Sequence, residues 1–451
     1  MHALSRRIMF AGATWSFALA GVAIGQDGPP TAGARRTPGL RLPDVLRCAE
    51  TDHPLIRASD AQVGSARARR AAAGALPNPI VTYQRENGGF GGGAPPAGLS
   101  VETSIYGTLP LESLYLRWPR LRVGSAEIRS AEAMRVATKR QVLLEAARAF
   151  FRVALAQEGV TTAREVFQRL ESLARYNQDR VAAGVSAEAD LIRVRVEAGR
   201  AGAAVTLGLV ELARARGALA PFLATCASIG GVDSIAVNAE ANETASAPLP
   251  SLHDFAPQAL ASRPDVLVAR ARVDAAAGQA DLERRLFLRQ VGIVFGTKRI
   301  EGVNTMIAGF TLPAPIFDQN LSGRRLAATE RIGAEEQLAW AERIAKSEIE
   351  ATYRAAALLD QELRRLSPAF LARADESRRL TLAAYEEGAA TLLQVLDASR
   401  SLAEATLDFH RTAFAYRESL VELALAVGLD PAAPRPAESP AGPSSPHGAP
   451  Q

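Results

Sequence analysis

The chain has 451 residues and a net charge of only +4, with Lys+Arg at 52 against Asp+Glu at 48. That balance does not point to a nucleic-acid binder, and the length suffices for a large core. Aromatic content is low at 6 %, and the abundance of Ala, Arg, Leu and Glu favours long helices over a compact sandwich.

In chain order, Arg6 and Arg7 precede an apolar run from Ile8 to Ala20, followed by the small residues Ala23-Ile24-Gly25 before Gln26. This is the pattern of a secretory signal peptide, expected over residues 1–25. No cysteine follows the run, so a lipoprotein anchor is not supported, and the twin-arginine motif is poor beyond the arginine pair. No later run is long and apolar enough for a second membrane-spanning helix. Cys48 and Cys226 are the only cysteines; they read as two thiols, with a single disulfide as the alternative in an exported chain. No thiolate zinc or iron–sulfur site is expected.

From residue 40 the chain repeats itself. His53-Pro54-Leu55-Ile56 is echoed by Arg263-Pro264-Asp265-Val266, and Thr108-Leu109-Pro110 by Thr311-Leu312-Pro313. Arg180-Val-Ala-Ala-Gly184 is echoed by Tyr385-Glu-Glu-Gly388. Two copies are expected, 40–225 and 251–430, joined by a linker over 226–250. A Pro-, Ala-, Ser- and Gly-rich tail over 431–451 is expected to lack order.

Each copy opens with a helix, Pro43 to Ala75 and then Ser251 to Leu288. A strand pair follows. In the first copy Leu99, Val101, Thr103, Ile105 and Leu109 alternate with polar residues, and a partner strand lies near Ile80 to Glu86. Between them runs a Gly-rich loop over residues 88–98. In the second copy Val291, Ile293 and Phe295 mark one strand, and Met306, Ala308, Phe310 and Leu312 share a face of the other. The strand pairs span about 80–110 and 290–312. Two separate hairpins do not make a stable sheet, so further strands must come from elsewhere.

A helical hairpin follows each strand pair, over about 124–222 and 322–427. The proline-free stretch from Gly124 to Arg180 would make a helix of roughly 85 Å. Heptad seams run through Val160, Phe167 and Ala174, through Val205, Leu212 and Leu219, and through Leu402, Phe409, Tyr416 and Leu423. Gly184 and Gly388 suit helix termination, and Ser186 and Thr391 are candidate caps for the helices that follow. No histidine pair, nucleotide loop or nucleophile motif stands out, so neither an enzyme nor a metal or cofactor site is expected. His410 beside Phe409 reads as a partly buried polar residue of a coiled-coil helix.

The plan resembles the TolC-like outer-membrane efflux proteins over residues 40–430. The resemblance rests on the duplication, on Leu76-Pro77-Asn78-Pro79 and Glu86-Asn87, on Leu312-Pro-Ala-Pro315-Ile-Phe-Asp-Gln-Asn320, and on the two glycine turns. It is greatest for the CzcC-like heavy-metal branch, although Leu321-Ser322-Gly323 replaces the usual Gln-Gly. The resemblance implies a mainly α fold with a small β part. It further implies a homotrimer whose strands close a twelve-stranded β-barrel in the outer membrane of a Gram-negative bacterium, continued by a periplasmic helical tunnel. Pro110, Pro313 and Pro315 would mark the strand-to-helix passages. Gly184, Val185, Ser186, Gly388, Ala389 and Ala390 would be the tips that meet a periplasmic adaptor of an RND-type pump. Asp397, with Gln394 a turn before it, would form a periplasmic constriction that attracts cations. The implied function is the exit duct for heavy-metal cations such as cobalt, zinc, cadmium or copper. The alternatives are a duct for drug efflux or type I protein secretion, and a soluble periplasmic coiled-coil adaptor. Outer-membrane lipid and the pump's partners are expected contacts; nucleic acid is not.

Overall fold

The computed structural model describes residues 39–88, 95, 97–224, 231–239, 251–312 and 314–427. The leader over 1–25, the tail over 431–451, Cys226 and Pro313 lie outside the described residues.

The first copy runs α1 (Leu42–Asp52), α2 (Pro54–Gly74), β1 (Ile80–Glu86), β2 (Glu102–Pro110), α3 (Glu112–Ala182) and α4 (Glu188–Leu223). The second runs α5 (Leu252–Ser262), α6 (Pro264–Arg285), β3 (Gly292–Ile300), β4 (Val303–Thr311), α7 (Leu321–Arg365), α8 (Pro368–Glu386) and α9 (Leu392–Val427).

Prolines set three breaks where a single helix was expected. His53 and Arg263 are extended at φ −71°, ψ 132° and φ −67°, ψ 129°, so each opening helix is two helices. Proline disfavours the helical conformation in the residue before it and has no N–H to donate. The same rule splits the third long helix, where Ser367 is extended ahead of Pro368 at φ −62°, ψ 162°.

Pro119 does the opposite. The helix expected from residue 124 begins at Glu112 and passes through Pro119 for 71 residues in all, about 107 Å. Proline at 119 frees the carbonyl of residue 115, and Arg285 Nη1 donates to that oxygen at 3.4 Å. The lost helical bond is thus replaced from α6.

The four strands form one antiparallel sheet in the order β1-β2-β3-β4. The two hairpins are therefore not isolated: β2 of the first copy pairs with β3 of the second, from Glu102↔Ile300 to Pro110↔Gly292. At the middle of this seam Gly107 faces Phe295 and Gly296 faces Tyr106. A Cβ on Gly296 would stand 2.2 Å from the Ile105 carbonyl oxygen, so only glycine allows the approach. The outer edges of β1 and β4 have no partner strand among the described residues.

Pro110 is the last residue of β2, and Leu111 alone separates it from α3. In the second copy the described residues 312 and 314–320, Pro315 among them, are in neither strand nor helix. Asn320 anchors this loop in the left-handed region at φ 57°. It is buried, accepts from Arg289 Nη2 at 2.9 Å, and donates to the Glu283 carbonyl at 2.8 Å. Its backbone N–H donates to Asp318 Oδ1 at 2.9 Å. The Asp and Asn of the Pro-x-Pro-x-Phe-Asp-x-Asn run thus fasten the loop to the end of α6.

The main core lies at mid-length of α3. Val142, Ala146, Phe150 and Val153 pack against Val45 and Leu46 of α1, Leu219 and Leu223 of α4, and Phe414 and Val421 of α9. Part of the expected linker closes over it. Ile235 and Val237 are buried there, and Gln157 clamps Val237 with two 3.0 Å bonds, one to its carbonyl and one from its N–H. Leu40 adds a parallel bridge to Val237. Cys48 packs on the edge of this core. Along α9, Leu402, Phe409, Tyr416 and Leu423 are all buried, as the heptad spacing requires. No described helix is long and apolar enough to cross a membrane.

Candidate functional site

Three regions could serve function: the two helical turns, the groove beside them, and the sheet. The turns have one construction. After α3, Gly184 stands at φ 75°, and the Val185 N–H returns to the Arg180 carbonyl at 2.9 Å. After α8, Gly388 stands at φ 82°, and the Ala389 N–H returns to the Ala384 carbonyl at 2.7 Å. Both are glycine-terminated caps in which a left-handed residue lets the last carbonyls be satisfied.

The helix starts differ. Thr391 and Gln394 form a reciprocal cap: the Thr391 N–H donates to Gln394 Oε1 at 2.7 Å, and the Gln394 N–H to Thr391 Oγ1 at 3.4 Å. Ser186 does not cap α4, because Ala187 occupies the cap position without a side-chain bond. Both turns have the same length from glycine to cap, and Ser186 stands one residue before the cap position.

A packed cluster holds the two turns side by side. Leu170, Leu173, Val194, Ala198, Tyr385, Leu392 and Val395 form it. Asn177 on α3 is 0 % exposed; it donates to the Leu173 carbonyl at 2.9 Å and accepts from Tyr385 Oη of α8 at 2.6 Å. Burial raises the Tyr385 pKa above its usual value, so the phenol remains the donor. The Arg180 guanidinium lies 5.6 Å from the Tyr176 ring centroid and 5.5 Å from that of Tyr385. The sequence reading missed this latch, since Asn177 and Tyr385 are ordinary residues far apart in the chain.

Of the residues assigned to the tips, Gly184, Val185, Gly388 and Ala389 are exposed, and Ser186 and Ala390 half-buried. Gln394 and Asp397 are exposed and line a groove between α8 and α9, with Ser377, Thr381 and Ser401, of ≈ 560 Å³. Gln394 is engaged in the cap; Asp397 has no ion pair among the described residues.

The sheet presents two unlike faces. Register puts Leu109, Ile293 and Phe310 in one row, then Val81, Gly107, Phe295 and Ala308, then Tyr83, Ile105, Thr297 and Met306. Met306 is 82 % and Phe310 78 % exposed. The other face is mixed: one row is Gln84, Ser104, Lys298 and Thr305, with Lys298 paired to Glu102, and the rows beside it add Thr82, Tyr106 and Ile307 on one side and Glu86, Ile300 and Val303 on the other. A consistently apolar face backed by a mixed one, on strands of nine residues, suits a wall with lipid on the apolar side. Among the described residues, no group of His, Cys, Asp and Glu is arranged to hold a metal.

Long paired helices, a sheet with two open edges and one lipid-suited face, and twin glycine turns at the far end define a class, the outer-membrane channel with a helical extension. Comparisons with known proteins agree. Residues 255–429 match the family model described as outer membrane efflux protein. The nickel and cobalt resistance protein CnrC of Cupriavidus metallidurans is 29% identical over 322 residues, which are 68% of this chain and 70% of that protein. The fold matches the outer membrane protein VceC of Vibrio cholerae with TM-score 0.69 at 18% identity, over 86% of this chain and 96% of that one. It matches CusC with TM-score 0.70 at 18% identity, over 86% and 92%. Residues 255–429 thus carry the likeness to the outer membrane efflux proteins, and the fold as a whole is that of these channels.

Proposed function

We propose that this protein is the outer-membrane exit duct of a tripartite RND-type efflux system and that its cargo is heavy-metal cations. The observation that carries the duct reading is the four-stranded sheet with two open edges and an apolar outer face. An exposed edge of unpaired backbone groups is untenable in lipid, and closure of the barrel removes it. β1 and β4 run in opposite directions, so β4 of one copy can pair antiparallel with β1 of the next. Three copies would then give a closed barrel of twelve strands. The helices support the same assembly. On α4, Ile192, Val196, Leu207 and Val210 form an exposed apolar stripe away from the buried Leu191, Val194, Ala198 and Ala201. A second copy is the natural occupant of such a stripe at heptad spacing.

Cargo is read from CnrC, a nickel and cobalt resistance protein. The two glycine turns then face the periplasmic adaptor, where Gly184, Val185, Ser186, Gly388, Ala389 and Ala390 offer small contacts. Asp397, copied threefold, supplies a ring of carboxylates that favours cations. Energy for transport comes from the partner pump.

The test is growth of a deletion strain, with and without the gene restored, over graded nickel, cobalt, zinc, cadmium and copper and several antibiotics. The expected result is metal hypersensitivity rescued by the gene, with antibiotic tolerance unchanged. Antibiotic sensitivity without metal sensitivity would overturn the cargo and leave the duct.

A further inference from the structure

The outer face of the sheet ends in a cationic row. Continuing the register past Tyr83, Ile105 and Met306, the next row on that face is Arg85, Thr103, Arg299 and Asn304. All four strands join helices at the opposite end, near Ile80, Pro110, Gly292 and Thr311. The row therefore lies at the end of the sheet away from the helices.

Arg85 and Arg299 are exposed, and neither has an ion pair among the described residues. The contrast with their neighbour is sharp. Lys298, one residue before Arg299 but on the opposite face, is paired to Glu102. The sheet neutralises its inward cation and leaves its outward ones open.

Arg85 and Arg299 flank Thr103 from strands on either side, about 10 Å apart at the backbone. Long arginine side chains can close that gap and present paired donors to one tetrahedral anion. The occupant must satisfy both parts of this surface. It must be apolar over three rows of Val, Ile, Leu, Phe, Tyr and Met, and anionic at the row beyond. That is an amphiphile; a free phosphate meets only the second requirement. With the helices on the periplasmic side, the row stands at the level of the outer leaflet.

We propose that Arg85, Thr103 and Arg299 bind the phosphate of a phosphorylated glycolipid of the outer leaflet, whose acyl chains lie along the apolar rows. The site rests on the barrel reading given above.

The test uses the full chain extracted in detergent from the outer-membrane fraction, titrated with bisphosphorylated lipid A and followed by native mass spectrometry. The wild type should bind, and Arg85→Ala/Arg299→Ala should bind about tenfold more weakly. Lipid A stripped of phosphate should bind the wild type no better than the intact lipid binds the double variant. Lys298→Ala, on the inner face, should bind as the wild type does. If the double alanine variant is not recovered, Arg85→Gln/Arg299→Gln carries the same expectation. Equal binding by wild type and double variant would overturn the site, and so would equal binding of the stripped lipid. Inorganic phosphate that competes fully at lipid concentrations would overturn the lipid as occupant. Absence of the wild type from the outer-membrane fraction would overturn the barrel reading and the site with it, a result distinct from these.

Discussion

Tyr385, Asn177 and Arg180 tie the paired turns together. The Tyr385 hydroxyl ends on an amide that is fully buried, and no water can replace it there. Tyr385→Phe should therefore leave Asn177 Oδ1 without its donor and cost about 1–3 kcal/mol. A fall in the thermal midpoint of the purified protein would report it; an unchanged midpoint would mean that the turns do not depend on the latch. His410 gives a pH prediction. Its ring is stacked on Phe414, its Nδ1 has no hydrogen-bond partner, and its Nε2 lies 3.7 Å from Glu158 Oε2. Burial lowers its pKa, and the Glu158 charge opposes this only in part. The folded state thus binds the proton less readily than the unfolded chain, whose histidine titrates near ~6.5. Stability is full above that value and declines as pH falls through it toward the lower folded pKa. His410→Leu should flatten the fall in thermal midpoint between pH 7.5 and 5.5, and a variant with the wild-type fall would contradict the assignment.

At the scale of elements, the seams and the turns were legible in the sequence, because heptad spacing and glycine at a helix end are local signals. Leu402, Phe409, Tyr416 and Leu423 are buried together as their spacing requires. Prolines were harder to read. The breaks before Pro54, Pro264 and Pro368 follow from the residue that precedes each, yet Pro119 is carried inside α3. At Pro119 the freed carbonyl finds a partner in Arg285, distant in sequence. The union of β2 with β3 left no local trace either, since it joins strands nearly two hundred residues apart. It was legible only as the need of two hairpins for more strands. The α4 stripe makes the element's own prediction. Val196→Glu with Leu207→Glu should weaken assembly, because each removes about 1.5–3 kcal/mol of apolar burial at every subunit contact. Detergent extraction should then recover little particle of the wild-type mass, with no folded single copy in its place. A variant that keeps the wild-type mass would show that the stripe faces something else.

For the whole molecule, one order of elements occurs twice. One unit of two short helices, two strands and a helical hairpin, used twice, yields an even number of strands, with both helix connections at one end of the sheet. The two halves differ in detail. The first runs through its strand-to-helix passage in one residue and keeps α3 whole. The second takes a loop pinned by Asn320 and divides its long helix at Pro368. A sheet with two open edges has no stable end state as a single copy in lipid, so the account depends on assembly. The most direct measurement is the native mass of the particle extracted by detergent from the outer-membrane fraction. The account predicts three copies and no smaller species that stays folded. Recovery of a folded single copy in aqueous buffer, without detergent, would contradict it.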